Sequence, residues 1–171
     1  MNYLKKFFSN KNNIITLVVV AFILFRQLPS WLNNFQWEGK EIETQSYQPL
    51  APQMDEAIDF PSSNKRTLAI FWASWCGPCK VEMSRLKNSV DEGKIKGEQI
   101  FAINPFEQGP VVKKFIEENQ FPFIFIEAPE VAQKLNISMT PTTVLMDKTE
   151  IKSITSGISF VGIWRAEFFL K

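Results

Sequence analysis

Phe71-Trp72-Ala73-Ser74-Trp75-Cys76-Gly77-Pro78-Cys79-Lys80 joins an apolar run to two cysteines three positions apart. Upstream, Thr67 to Ala73 is the uninterrupted apolar stretch of a strand buried on both faces. Downstream, Pro78 to about Asp91 has the pattern of a helix, with Val81, Leu86 and Val90 on its apolar face and Gly93 suited to its end. The dithiol therefore falls where a buried strand turns into a helix. The first turn of a helix carries unsatisfied N–H groups and the positive end of the macrodipole, which lower the pKa of a thiol placed there. Cys76, at the mouth, is the candidate nucleophile. Cys79, one turn in, is placed to resolve a mixed disulfide, and Pro78 sets the helix start.

Residue counts remove most competing chemistries. The 171 residues contain no histidine and only these two cysteines. Serine or cysteine nucleophiles activated by histidine, and histidine-ligated zinc or haem, are excluded. Two thiols cannot complete a four-cysteine zinc site, and a disulfide closing so short a loop is a poor staple for the domain. No cofactor and no resident metal are expected. A net charge of +1 gives no reason to expect nucleic acid as a partner.

Further strands and helices alternate outward from the dithiol. Gln99–Ile103 reads as a second buried strand. A helix opens at Gly109-Pro110 with Val111, Val112, Phe115 and Ile116 on its apolar face. Residues 121–126 read as a third strand and 129–135 as a short helix. Thr142–Met146 and Ile151–Thr155 pair as a hairpin around Asp147-Lys148, and 160–170 is an amphipathic helix. The expected class is α/β with a mixed central sheet flanked by helices.

The amino-terminal end carries a different signal. Four of the nineteen Lys and Arg residues lie before residue 33, whereas all eighteen acids follow it, the first being Glu38. Residues 14–25 hold no charge, and apolar character resumes at Leu28, Trp31 and Leu32. Some twenty residues can span a bilayer if Arg26 snorkels and Trp31 marks the interface. No small-x-small cleavage site follows. Lys5, Lys6 and Lys11 against the single Arg26 place the amino terminus inside. The expected organisation is a cytoplasmic start over 1–13, a signal anchor over 14–32, an extracytoplasmic tether over 33–61 with a short hairpin near Gly39, and the catalytic domain over 62–171.

The segment 71–80 closely resembles the active-site stretch of thioredoxin. Met139-Thr140-Pro141-Thr142 resembles the second signature of that superfamily, a cis-proline facing the dithiol. The spacing from Cys79 to Pro141 is longer than in thioredoxin by a helix and a strand. With an anchor in front, this resembles the extracytoplasmic TlpA/ResA-like branch that serves cytochrome c maturation and periplasmic thiol traffic. The tail Thr155-Ser156-Gly157-Ile158-Ser159 with Trp164-Arg165 resembles the suppressor-of-copper-sensitivity D type.

The resemblance implies a thioredoxin-like fold with a helix–strand insertion, and roles for particular residues. Trp75, Gly77, Pro78 and Thr140 would contact substrate, Thr140 through backbone hydrogen bonds to an extended segment. Pro141 would face the disulfide. Thioredoxin's buried aspartate six positions before the first cysteine is replaced by Ile70. The branch's glutamate three positions after the second cysteine is present as Glu82, the candidate for moving a proton to or from Cys79. The implied activity is thiol–disulfide exchange with cysteine pairs of exported proteins, as a reductase rather than an oxidant, at the periplasmic face of a bacterial inner membrane. A transmembrane electron donor or acceptor is an implied partner. The alternatives are a Cu(I)-binding thiol module and a non-catalytic adaptor.

Overall fold

The computed structural model describes residues 13–19, 21–22, 34–50, 56–107, 109–159 and 161–171. Its strands are β1 (Gln45–Tyr47), β2 (Ile58–Phe60), β3 (Arg66–Phe71), β4 (Ile100–Ile103), β5 (Ile124–Ile126), β6 (Thr142–Asp147) and β7 (Glu150–Ser156). The helices are α1 (Gly77–Asp91), α2 (Gly109–Asn119), α3 (Pro129–Lys134) and α4 (Gly162–Leu170). β3 is buried from Thr67 on and lies at the centre of a five-stranded sheet of order β5-β4-β3-β6-β7. It pairs parallel with β4 and antiparallel with β6, which makes the sheet mixed.

Successive residues of β3 face opposite sides of the sheet, as the period of two requires. Leu68 and Ile70 join a core with Met83 and Leu86 of α1, Phe115 of α2 and Ile163 of α4. Trp72 packs there against Phe115, with ring centroids 4.3 Å apart. Ala69 and Phe71 join the second core with Val131 of α3 and Leu135, the residue that caps its end.

Three sequence expectations shift for identifiable reasons. Val81 is 51% exposed, while Glu82 is 2% exposed and takes the inward position. Cys79 fixes the phase of α1, and positions 79, 82, 83 and 86 then share a face that excludes 81. The strand expected from Phe121 is shortened to Ile124–Ile126. Gln120 adopts φ +46° and Pro122 has no N–H to give a ladder. Gly93 does end α1, at φ +69°, with its N–H donated to Val90 O.

The third shift concerns residues 33–61. Gly39, at φ +81°, donates its N–H to Ile151 O rather than closing a local hairpin, and Ile42 N–H donates to Thr149 O at 2.9 Å. β1 pairs antiparallel with β2, and Leu50 N–H donates to Phe125 O at 2.8 Å. The segment thus bonds to the start of β7 at one edge of the sheet and to β5 at the other, occupying part of each row of unpaired strand groups. On the way Ile42 and Phe60 enter the second core, Phe60 packing against Phe101 with centroids 4.8 Å apart. Residues from Asn34 on form one compact unit. Most of the expected anchor over 14–32 lies outside the described residues, as does the start over 1–12. Residues 13–19 and 21–22 are helical, and among the described residues no helix is long and apolar enough to cross a membrane.

Phe60→Ala is expected to cost about 3–5 kcal/mol in urea unfolding. A chain starting at residue 62 should lose cooperative unfolding altogether. An unchanged urea midpoint for either variant would show that the 34–61 segment contributes nothing to the core.

Candidate functional site

Three connections leave the same end of the sheet. β3 ends at Phe71, which is in register with Ile103, the last residue of β4, and with Thr142, the first of β6. Residues 72–76, 104–107 and 139–141 therefore converge. Cys76 is the N-cap of α1 at φ −82° and ψ 98°, and Pro78 stands in the first turn. Cys76 and Cys79 are joined in a disulfide with a Cα–Cα distance of 5.2 Å. The Cys79 N–H donates to Cys76 Sγ at 3.1 Å, so a helix-terminal donor already points at the sulfur where thiolate charge would develop. Cys76 is 4% exposed and Cys79 fully buried. Gly77 and Pro78 are exposed beside them, and Trp75 is 70% exposed.

The Thr140–Pro141 bond is cis, and a second cis bond, Phe60–Pro61, lies in the edge-covering segment. Pro141 is buried and Thr140 half-buried. Thr142 Oγ1 donates to Met139 O at 2.8 Å, and Gly157 N–H donates to Pro141 O at 2.7 Å. The turn carrying Pro141 is thereby tied to the loop that follows β7.

Glu82 sits one turn beyond Cys79 on the inward face of α1. Burial pushes its carboxyl above the ordinary carboxylate range, and Arg85 pulls it partly back. The Arg85 Nη1 donates to Glu82 Oε2 at 3.0 Å and to Ser159 O at 3.0 Å. A carboxyl so placed holds a proton more readily than an exposed one. It has the properties of an acceptor for a proton leaving a buried thiol.

Sequence reasoning missed Glu107. Its carboxylate accepts from Ser74 N–H at 2.6 Å, from the Ser74 hydroxyl at 2.5 Å and from Asn104 Nδ2 at 2.7 Å. Asn104 Oδ1 in turn accepts the N–H groups of Phe106 and Glu107. Burial alone would raise the Glu107 carboxyl, but the hydrogen bonds from Ser74 and Asn104 outweigh it and hold the group below its ordinary range. This clamp fixes the residues immediately before Trp75 and Cys76, and Phe106 packs on Trp75 with centroids 6.4 Å apart. The available sequence signal was Asn104-Pro105-Phe106-Glu107 following a strand, an Asx-turn pattern at the end of the sheet nearest the dithiol. Among the described residues no group of three His, Cys, Asp or Glu side chains is placed to hold a metal ion.

Glu107→Ala should cost about 1.5–3 kcal/mol of stability at neutral pH, because three donors lose a charged acceptor. The folded-state pKa of Glu107 lies below its unfolded value. Its contribution is therefore present above the ordinary carboxylate range and lost as pH falls through the folded value. The stability gap between wild type and Glu107→Ala should narrow in that acid window when unfolding is followed against pH. A constant gap would contradict the clamp.

Comparison with known proteins agrees with this geometry. The model of the AhpC/TSA family matches residues 54–154. Sporulation thiol-disulfide oxidoreductase A of Bacillus subtilis (strain 168) is 27% identical over 139 residues, covering 74% of this chain and 84% of that protein. Thiol-disulfide oxidoreductase ResA of Geobacillus kaustophilus (strain HTA426) is 36% identical over 90 residues, 51% of this chain and 52% of the relative. The crystal structure of StoA from Bacillus subtilis has the same fold, with a TM-score of 0.63 at 22% identity over 75% of this chain and 97% of that one. With the family matched from the edge-covering segment through the dithiol and the Pro141 turn to β7, the chain belongs to the AhpC/TSA family and has a thioredoxin-like fold.

Proposed function

We infer that this chain is a thiol–disulfide oxidoreductase that reduces cysteine pairs of exported proteins outside the cytoplasm. The observation that carries the reading is the Cys76–Cys79 disulfide across the first turn of α1, with the N-cap sulfur already accepting a backbone N–H and the carboxyl of Glu82 buried one turn behind.

In the reduced protein the Cys76 thiolate attacks one sulfur of the substrate disulfide, forming a mixed disulfide and releasing the other substrate sulfur as a thiolate. Cys79 gives its proton to Glu82, attacks the sulfur of Cys76 and closes the intramolecular disulfide. The second substrate sulfur leaves and is protonated, and two electrons have passed to the substrate. Trp75, Gly77, Pro78 and Thr140 border the path an extended substrate segment would take, with Pro141 at its floor. Regenerating the dithiol needs two electrons from a separate donor. The Lys-flanked apolar run before Leu32 supports a single-pass inner-membrane anchor, with the donor a membrane protein of the same bilayer. Gly-Pro between the cysteines, as in reducing thioredoxins, supports the direction.

Cys79→Ser is expected to accumulate a mixed disulfide between Cys76 and substrate, visible as a reducible high-mass band, and Cys76→Ser to abolish both the band and the exchange activity. Acid quenching and mass-tag alkylation in cells should find the wild-type pair mostly as the dithiol. A pair held mainly as the disulfide in cells whose electron donor is intact would reverse the direction, and full activity of Cys76→Ser would refute the enzyme reading.

A further inference from the structure

Arg85 is the ion-pair partner of Glu82 among the described residues, and its position joins two parts of the site that are far apart in sequence. One nitrogen, Nη1, lies 3.0 Å from Glu82 Oε2 and 3.0 Å from the carbonyl of Ser159. Ser159 belongs to the loop between β7 and α4, and that loop's Gly157 N–H holds the carbonyl of Pro141 at 2.7 Å. The guanidinium thus links the helix that carries Cys79 and Glu82 to the loop that holds the Pro141 turn. It is also the charge best placed to act on the carboxyl. The small cavity behind Glu82 is lined from β3, β6 and β7 by Leu68, Leu145 and the hydroxyl residues Thr143, Ser153 and Thr155, none of them acidic or basic. From α4 the cavity receives Arg165, which makes no side-chain hydrogen bond to Glu82.

We propose that Arg85 is a positioning residue for the exchange reaction, keeping the Glu82 carboxylate ionised and aimed so that it can take the Cys79 proton, while anchoring the loop that holds Pro141. This rests on the reading of Glu82 as proton acceptor. A buried carboxylate without a cation protonates and can accept nothing. With a bidentate and fully enclosed cation it would be so acidic that it would not accept a thiol proton. Arg85, with its side chain 32% exposed, lies between these limits. The sign follows directly. Removing the cation raises the proton affinity of Glu82, so Glu82 is ionised only at higher pH, and the acid limb of the exchange rate moves up.

The test uses the reduced full-length chain and a synthetic peptide with an intramolecular disulfide, with the single-turnover rate followed against pH. Arg85→Met should move the acid limb up by about one pH unit or more, the size of shift an adjacent opposite charge produces. Arg85→Lys, which keeps the charge, should restore most of the shift. In a Glu82→Gln background Arg85→Met should produce no further movement, because the group it acts on no longer titrates. The 13C shift of the Glu82 carboxyl gives the same titration without turnover, should either variant exchange too slowly. A rate lowered equally at every pH, or an unmoved Glu82 titration, would overturn the proposal and leave Arg85 as a loop anchor. If Glu82→Gln alone keeps the wild-type rate and profile, the reading of Glu82 as acceptor fails, and the role of Arg85 falls with it.

Discussion

Phe71 is the constraint on which the rest of the site depends. Its backbone is paired with Ile103 on one side and Thr142 on the other, so the central strand ends level with the end of β4 and the beginning of β6. Parallel pairing with β4 brings Asn104–Glu107 to the same edge, and antiparallel pairing with β6 brings Pro141. Three loops distant in sequence are thus assembled by ladder register, where a slip of one residue would turn every buried side chain of β3 to the wrong face. The dithiol is carried to that edge by a strand whose residues from Thr67 on are all buried.

The same sheet explains the segment before it. A five-stranded sheet has two open edges and, with helices α1, α2 and α4 gathered on one core, a second face that the six-residue α3 cannot cover alone. Residues 39–50 bridge to the outer edges of β7 and β5, β2 pairs with β1, and Ile42 and Phe60 enter the second core. Burying two large apolar side chains stabilises by about 1.5–3 kcal/mol each, comparable with much of a domain's net stability. The tether and the domain are one folding unit from Asn34 on.

What could be read from the sequence alone divides along physical lines. The central strand, the dithiol at the helix mouth, the Gly93 stop and the hairpin of β6 and β7 all rest on local patterns, and each is present within a residue or two. The edge-covering segment was not legible, because β1 and β2 are three residues each, too short to show a period, and the proline-punctuated chain between them reads as loop. Hydropathy placed Val81 inside and left Glu82 as a polar position. Only the helical phase set by Cys79 reverses the two, and that phase is a property of the fold. Glu107 lies thirty-three positions from Ser74, and the Asx-turn pattern at Asn104 marks the loop without naming its partner.

The buried carboxyl deserves its place in this arrangement only because its neighbours are so sparse. Desolvation of an ion costs several kcal/mol in a protein interior, and a single well-placed cation offsets part of it. Among the described residues Glu82 is ion-paired with one such cation, bonded through one nitrogen that it shares with a backbone carbonyl, while the rest of its cavity is lined by hydrocarbon and hydroxyl side chains and by Arg165. A tighter pair, bidentate and fully enclosed, would lock the carboxylate in its ionised form. No pair at all would lock it protonated. Glu107 shows the first extreme within the same site: three donors converge on it and its proton affinity falls, which suits a clamp and not a carrier. Two carboxyls on the elements that carry the dithiol are thus driven in opposite directions by their partners, a divergence that suits one to holding and fits the proton transfer proposed for the other.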